Sequence, residues 1–377
     1  MMTPRPFRVP SKRPLRIAQL AGIAFRVPPR ASGGTELVID RLTRGLLERG
    51  HRVTLFASGD SETPAELRSS VPIAAQDDPE SNAYLEREHE LRHAMEACEA
   101  AAAGEFDLVH AHWPTPAAYF AERAACPTLL TFDYMEKAIF EHYRRRFPRL
   151  RFACVSRAQA AMLGADLPVI HNGIDADRVP FSERPGKYLL TVGRLVPSKG
   201  AATAIAVARR AGLPLVIVGD VSPYLPESRP YYENEIAPHV DRDRVHHFPA
   251  LSNARVLELM RGARAFLFPI AWEEPFGLVV AEAMAAGTPV IATARGSLPE
   301  LVEPGVTGYL ADEVAGLADA AELAGSIDRA RCRRRARERF GYRRMARRYE
   351  DLYRAVLREA APSRRAEGRP AARFVAR

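Results

Sequence analysis

Two successive α/β units, each a doubly wound sheet of parallel strands with helices between, are what this 377-residue sequence predicts. Three observations carry the prediction. The length allows two or three domains at about 100–200 residues each. Short β-type apolar runs alternate with amphipathic helical stretches, the pattern of a parallel sheet. The alternation also restarts after a linker bearing proline and glycine near residues 170–185. The cleft between two such sheets, facing the strands' carboxyl ends, is the expected ligand site.

The elements follow in order. Residues 16–21 (RIAQLA) read as a buried strand, followed by the turn Gly33-Gly34-Thr35-Glu36. TELVIDRLTRGLLERG then places apolar residues at 38, 39, 42, 46 and 47 on one helical face, with Gly50 as its stop. Residues 52–57 (RVTLFA) complete a β–α–β unit, 59–82 read as polar loop, and 83–103 as a charged, exposed helix. Further strands are expected at 106–111, 128–132 and 152–155. The second series has strands at 188–192, 215–218, 244–248, 265–268 and 290–292, and helices at about 199–211, 252–262, 277–286 and 316–324. A last helix over 342–357 carries aromatic and apolar residues at helical spacing. The expected domains are a basic tail 1–13, an N-terminal domain 14–170, a C-terminal domain 171–341 and an Arg-rich disordered tail 361–377.

Apolar residues at 47% and charged ones at 27% exclude a wholly disordered or collagen-like chain. Cys98, Cys126, Cys154 and Cys332 lie far apart without a C-x-x-C, which indicates neither a zinc cluster nor a disulfide framework. The first 13 residues lack the apolar stretch of a signal peptide. The longest apolar runs, such as 265–272, fall short of the ~20 residues that span a bilayer. A soluble cytoplasmic protein is the expectation. The net charge of +8 is unevenly spread: residues 329–377 hold 18 arginines against five carboxylates, so the rest of the chain is mildly acidic. Such a segment fits peripheral association with the anionic inner face of a cell membrane, or a solvated Arg-rich helix; nucleic acid is not an expected partner. Lysine occurs only at Lys12, Lys137, Lys187 and Lys199.

Three constellations carry chemistry. Glu274-Pro275-Phe276-Gly277-Leu278 leads into a helix bearing Glu282, so Glu274 belongs to the loop and Glu282 to the helix. Amides near Gly277 and Leu278 at that helix start are free to meet an anion. Taken alone, the two glutamates also fit a pair of surface residues flanking a buried helix. GRLVPSKG at 193–200 directly follows a strand, and its Arg194 and Lys199 suit a phosphate clamp without Walker spacing. The Gly33-Gly34 turn permits close backbone approach to a ligand. His110 and His112 stand at a strand's carboxyl end and are candidates to face the cleft, but no carboxylate or cysteine has matching metal-ligand spacing.

Together these segments resemble the retaining glycosyltransferases of family 4, which have the two-domain GT-B fold. GGTE at 33–36, VTLFASGDS at 53–61, DLVHAH at 107–112, HNGID at 171–175, GRLVPSKG, EPFGLVVAEAMAAGTPVIAT at 274–293, GSLPELV at 296–302 and GVTGYL at 305–310 occur in the family's order, over about residues 15–358. The resemblance implies transfer of a hexose, with retained configuration, from a nucleotide-diphosphate sugar to a hydroxyl of a glycan, lipid or small molecule. UDP-glucose or another UDP-hexose comes first and GDP-mannose second, and no metal is required. It assigns Arg194 and Lys199 to the diphosphate, Glu274 to the sugar hydroxyls, Glu282 to the ribose, and the backbone of Phe276, Gly277 and Leu278 to phosphate and sugar. Gly33 and Gly34 would close over the diphosphate, residues 248–251 would meet the base, and the last helix, about 342–358, would return to the N-terminal domain. Asp133 stands where many relatives carry a histidine near the donor sugar; it is the candidate to replace that contact, with His112 as a compensating group. Same-face attack and a short-lived covalent species, with Glu274 as nearest nucleophile, both remain open.

Two other classes fit the sequence less well. An NAD-dependent oxidoreductase would need a G-x-G-x-x-G turn after the first strand, and none is present. A non-catalytic protein that holds a nucleotide or glycan in the cleft is favoured only by Asp133.

Overall fold

The structure, a computed structural model, describes residues 13–30, 33–112, 114–222, 225–241, 243–249 and 251–360. Nearly all of the expected basic N-terminal tail, the whole of 361–377, and Ala250 of the base-contacting stretch lie outside the described residues.

The first sheet comprises β1 (Arg16–Leu20), β2 (Arg52–Phe56), β3 (Glu66–Arg68), β4 (Leu108–Ala111), β5 (Thr128–Thr131) and β6 (Leu150–Ala153). Its helices are α1 (Gly34–Glu48), α2 (Ala83–Ala102), α3 (Pro114–Phe120), α4 (Lys137–Arg146) and α5 (Arg157–Leu163). The second sheet comprises β7 (Leu189–Val192), β8 (Leu215–Val218), β9 (Val245–Phe248), β10 (Ala265–Phe268), β11 (Val290–Ala292) and β12 (Gly308–Leu310). With it run α6 (Ala201–Ala211), α7 (Ser228–Tyr231), α8 (Asn253–Gly262), α9 (Leu278–Ala285), α10 (Leu298–Leu301), α11 (Val314–Leu323) and α12 (Arg329–Phe340), before α13 (Tyr342–Ala360) ends the described chain. Both sheets are parallel, in the orders β3-β2-β1-β4-β5-β6 and β12-β11-β10-β7-β8-β9. In each, the first strand is central and the winding reverses beside it, between β1 and β4 and between β7 and β10. A crevice opens at the carboxyl ends of the strands at such a reversal. β4 and β10 are buried along their whole lengths, as strands covered by helices on both faces must be.

The two expected α/β series are present, with local differences. The stretch 59–82 holds a strand, β3, whose ELR sequence gives no apolar signal because it lies at a sheet edge. The helix expected to be exposed, α2, buries His93, Ala94, Ala97, Cys98 and Ala101, a helical stripe made mostly of small residues. Helix α12 holds seven arginines in 12 residues, yet Cys332, Ala336 and Phe340 recur every four positions and point inward. Its start is capped by Asp328, whose Oδ1 accepts the Arg331 amide at 2.9 Å.

Much of the basic segment fastens the fold. Arg329 donates to the carbonyls of Ser182, Arg261 and Ala263, and Arg333 to those of Ala176, Val179 and Ala285. Helix α13 does return to the first sheet: Met345, Ala346, Tyr349 and Tyr353 pack with Leu15, Ile17, Val38 and Leu42. His110 accepts or donates at 2.7 Å with the Tyr353 hydroxyl and at 2.9 Å with Thr131 Oγ1, and burial holds its pKa well below the usual value. No described helix is long and apolar enough to cross a membrane.

Candidate active site

The two sheets meet around a cleft of about 760 Å³. From the first half it is lined by Phe25, Gly33, Gly34 and Leu37, and from the second by Arg194, Gly219, Leu251, Asn253, Leu278, Val279 and Glu282, among others. Gly33 has φ 148°, and a Cβ there would come within 2.6 Å of Pro29, so the turn ahead of α1 needs glycine.

In the second half, β7 runs into the loop that presents Arg194, which is exposed and whose guanidinium has no hydrogen bond or ion pair among the described residues. A short 3₁₀ turn, Pro197–Lys199, follows, and Gly200 ends it at φ 74°, where a Cβ would lie 2.0 Å from the Pro269 carbonyl oxygen. That tight junction fixes Lys199 against the β10 loop. Its Nζ is 2.7 Å from Glu274 Oε2, 4.5 Å from the centre of the Trp272 ring and 5.7 Å from that of Phe268. Trp272 Nε1 donates to the same Glu274 oxygen at 3.0 Å. Gly277, at φ 84°, opens α9, and the amides of Leu278 and Val279 have no acceptor among the described residues. Free amides at a helix start are an anion site. Phe276 is buried and packs its ring against those of His171 and Phe340. Glu282, just over one turn into α9, is buried and takes a 2.9 Å ion pair from Arg41 of α1.

On the N-terminal side, Thr35 Oγ1 donates to Asp133 Oδ2, which ties the Gly-Gly turn to the end of β5. Asn172 Nδ2 lies 3.5 Å from Asp133 Oδ1. Burial raises the Asp133 pKa above the usual carboxylate value, outweighing these hydrogen bonds. Burial, helped by the charge of Asp133, raises Glu36 to about 7. His112 is placed differently from the expectation that it faces the cleft. It is 5% exposed, its Nε2 sits 2.6 Å from Gln19 Oε1, and burial lowers its pKa to about 3. Its ring is therefore neutral and held to Gln19, and it is not among the residues that line the cleft.

The structure thus brings Lys199 to Glu274, and Gly33, Gly34, Arg194, Leu278 and Glu282 to one cleft. Sequence reading assigned no role to Thr35, Glu36, Arg41 or Trp272. It also missed Glu300, which accepts the Arg157 and Ala158 amides at 3.0 and 2.7 Å and His171 Nε2 at 3.2 Å, joining the second half to α5 and the linker. Among the described residues no group of three or more His, Cys, Asp or Glu side chains is placed to hold a metal ion.

Paired parallel sheets with the ligand cleft between them define the GT-B class, and known proteins narrow it. Residues 175–344 match the family described as Glycosyl transferases group 1, and residues 32–178 match Glycosyltransferase Family 4. The two matches together span nearly all of both sheets, and the chain belongs to this glycosyltransferase family. It is 37% identical over 184 residues to the glycogen synthase of Mycobacterium tuberculosis (strain CDC 1551 / Oshkosh), a match that covers 46% of this chain and 43% of that enzyme. The chain therefore spans less than half the length of that curated relative. Among solved structures, AviGT4, a glycosyltransferase involved in avilamycin A biosynthesis, is 25% identical with a TM-score of 0.69, covering 92% of this chain and 99% of its own. Anabaena Alr3699/HepE, solved in complex with UDP and glucose, is 20% identical with a TM-score of 0.65, covering 90% of this chain and all 100% of its own, and shares the fold.

Proposed function

We propose that this glycosyltransferase moves a hexose from a nucleotide-diphosphate sugar to an acceptor hydroxyl with retention of configuration. The observation that carries the reading is a set of groups at and beside the cleft: the unpaired Arg194 side chain and the free amides of Leu278 and Val279 line it, and the Lys199–Glu274 pair stands next to Gly193 on its wall. When the bond from the sugar's anomeric carbon to the diphosphate breaks, negative charge grows on the departing oxygens. Fixed cations and helix-start amides oppose that charge without reorganising. Lys199 has three donor hydrogens and gives one direction to Glu274, which leaves it able to meet phosphate as well. Glu274, oriented by Lys199 and Trp272, is the acceptor for sugar hydroxyls. The acceptor oxygen attacks from the face the diphosphate leaves, and its proton passes to the diphosphate. A resident metal has no assigned role in this scheme.

UDP-glucose or another UDP-hexose is the first donor to test, following the family resemblance of the motifs; Leu251 and Asn253 line the end of the cleft that would hold the base. The acceptor is the hydroxyl of a glycan, lipid or small molecule, received by the N-terminal half. The test is unfolding of the purified chain with UDP, GDP, ADP and NADH, joined to release of nucleotide from the matching sugar donors. A ligand at 100 times its dissociation constant adds about 2.7 kcal/mol to the folded state. Stabilisation by one nucleoside diphosphate with consumption of its sugar donor supports the reading. Binding without turnover points to the non-catalytic alternative, and response to NADH alone refutes the assignment. Cytoplasmic location and contact of the Arg-rich segment with an anionic membrane are separate proposals, and sedimentation with anionic vesicles tests the second.

A further inference from the structure

We infer that Arg41 is a positioning residue for Glu282, through which α1 of the N-terminal half sets how tightly the C-terminal half holds its nucleotide. This rests on the proposed role of Glu282 at the ribose. Arg41 and Glu282 are 8% and 3% exposed, yet lie in opposite halves of the molecule, 241 residues apart in sequence. Arg41 Nη2 donates to Glu282 Oε1 at 2.9 Å, and Nη1 reaches the Gly173 carbonyl of the linker at 3.4 Å. Glu282 Oε2 has no partner among the described residues, is not a sealed orphan, and belongs to a side chain that lines the cleft. One oxygen is thus fixed from the far side while the other remains for a ligand's hydroxyls.

Removing the guanidinium leaves a buried carboxylate without a counter-charge, which then takes up a proton or turns towards solvent. Either response spoils an acceptor of hydroxyl hydrogen bonds. A second contact shows that the two helices meet where this pair forms. A Cβ on Gly34, at the start of α1, would lie 3.3 Å from Leu278 Cδ1, at the start of α9. Leu278 also packs against the cluster containing Val38 and Leu42 of α1. Since the pair exists only when the halves approach, nucleotide affinity and approach are linked, and each strengthens the other.

The experiment titrates the full chain with UDP, GDP and ADP by calorimetry and carries forward the nucleotide that wild type binds. Arg41→Ala is expected to weaken that binding about tenfold, within the usual range of coupling between sites. Donor KM should rise by a similar factor while kcat holds, and Arg41→Lys should recover part of the loss. The exchange variant R41E/E282R re-forms an ion pair, so a purely structural role predicts recovered binding, whereas a positioning role predicts none because the hydroxyl acceptor is gone. If Arg41→Ala does not fold, Arg41→Gln, which is polar but shorter and uncharged, carries the same expectation. Wild-type affinity in the Ala or Gln variant, or recovery in the exchange variant, overturns the inference and leaves the transferase reading intact. A wild-type chain that binds none of the three nucleotides overturns both.

Discussion

Replacing Glu36 by glutamine isolates one buried carboxyl at the edge of the cleft. In the folded chain, burial first and the charge of Asp133 second raise Glu36 from 4.5 to about 7. Below pH 4.5 folded and unfolded chains both hold the proton, and the stability contributed by the protonated form is fully present. Between 4.5 and about 7 the unfolded chain releases a proton that the folded chain keeps, so stability falls as pH rises, and the contribution is gone above about 7. At about 1.4 kcal/mol per pH unit, that interval amounts to about 3 kcal/mol. Glutamine keeps the shape of the protonated acid and never ionises. Urea unfolding followed by circular dichroism at pH 5, 6, 7 and 8 should therefore show Glu36→Gln gaining on wild type by about 2–3 kcal/mol across the series. Asp133, also raised by burial, keeps some pH dependence of the same sign in the variant. A stability difference, Glu36→Gln minus wild type, that stays constant from pH 5 to pH 8, or falls, would refute the assignment of a buried, proton-retaining Glu36.

Three further outcomes are expected. Lys199→Ala and Glu274→Ala should each lower donor turnover by at least ~10²-fold, the scale of losing one transition-state donor, and near-normal rates in either would remove that residue from the mechanism. Turnover should persist in EDTA; its abolition, with recovery on adding a divalent cation, would place a metal in the reaction. A chain ending at Ala360, the last residue of α13, should act on a soluble acceptor as the full chain does, and loss of that activity would make 361–377 part of the fold or the site.

The placement of the C-terminal half of the candidate site was legible because its residues lie in short, contiguous stretches. GRLVPSKG follows β7 directly, and Glu274 and Glu282 bracket one loop and helix start, so strand–turn–helix reasoning put Lys199, Gly277 and Glu282 in place. The N-terminal half was less so. Its polar groups meet across long separations: Thr35 with Asp133, and Arg41 with Glu282, 98 and 241 residues apart. A local signal for Arg41 did exist. It falls three residues after Val38 and just before Leu42, on the flank of the apolar face of α1, where a charge needs a buried partner. The identity of that partner is a tertiary fact that no periodicity carries. His112 is a further case: its place at a strand's carboxyl end was legible, but its burial and its partner, Gln19, 93 residues away, were not.

The two glutamates eight positions apart look equivalent in the sequence and are not equivalent in the structure. Glu274 is neutralised by Lys199, from the same half of the molecule, and the pair is assembled whether or not the halves approach. Glu282 is neutralised by Arg41, from the other half, and its pair reports that approach. A change that separates the halves without touching the second sheet should therefore leave the Lys199–Glu274 arrangement intact while stripping Glu282 of its counter-charge. In the proposed scheme the sugar-facing carboxylate is permanently set and the nucleotide-facing one is conditional. The N-terminal half would then govern donor retention as well as acceptor choice.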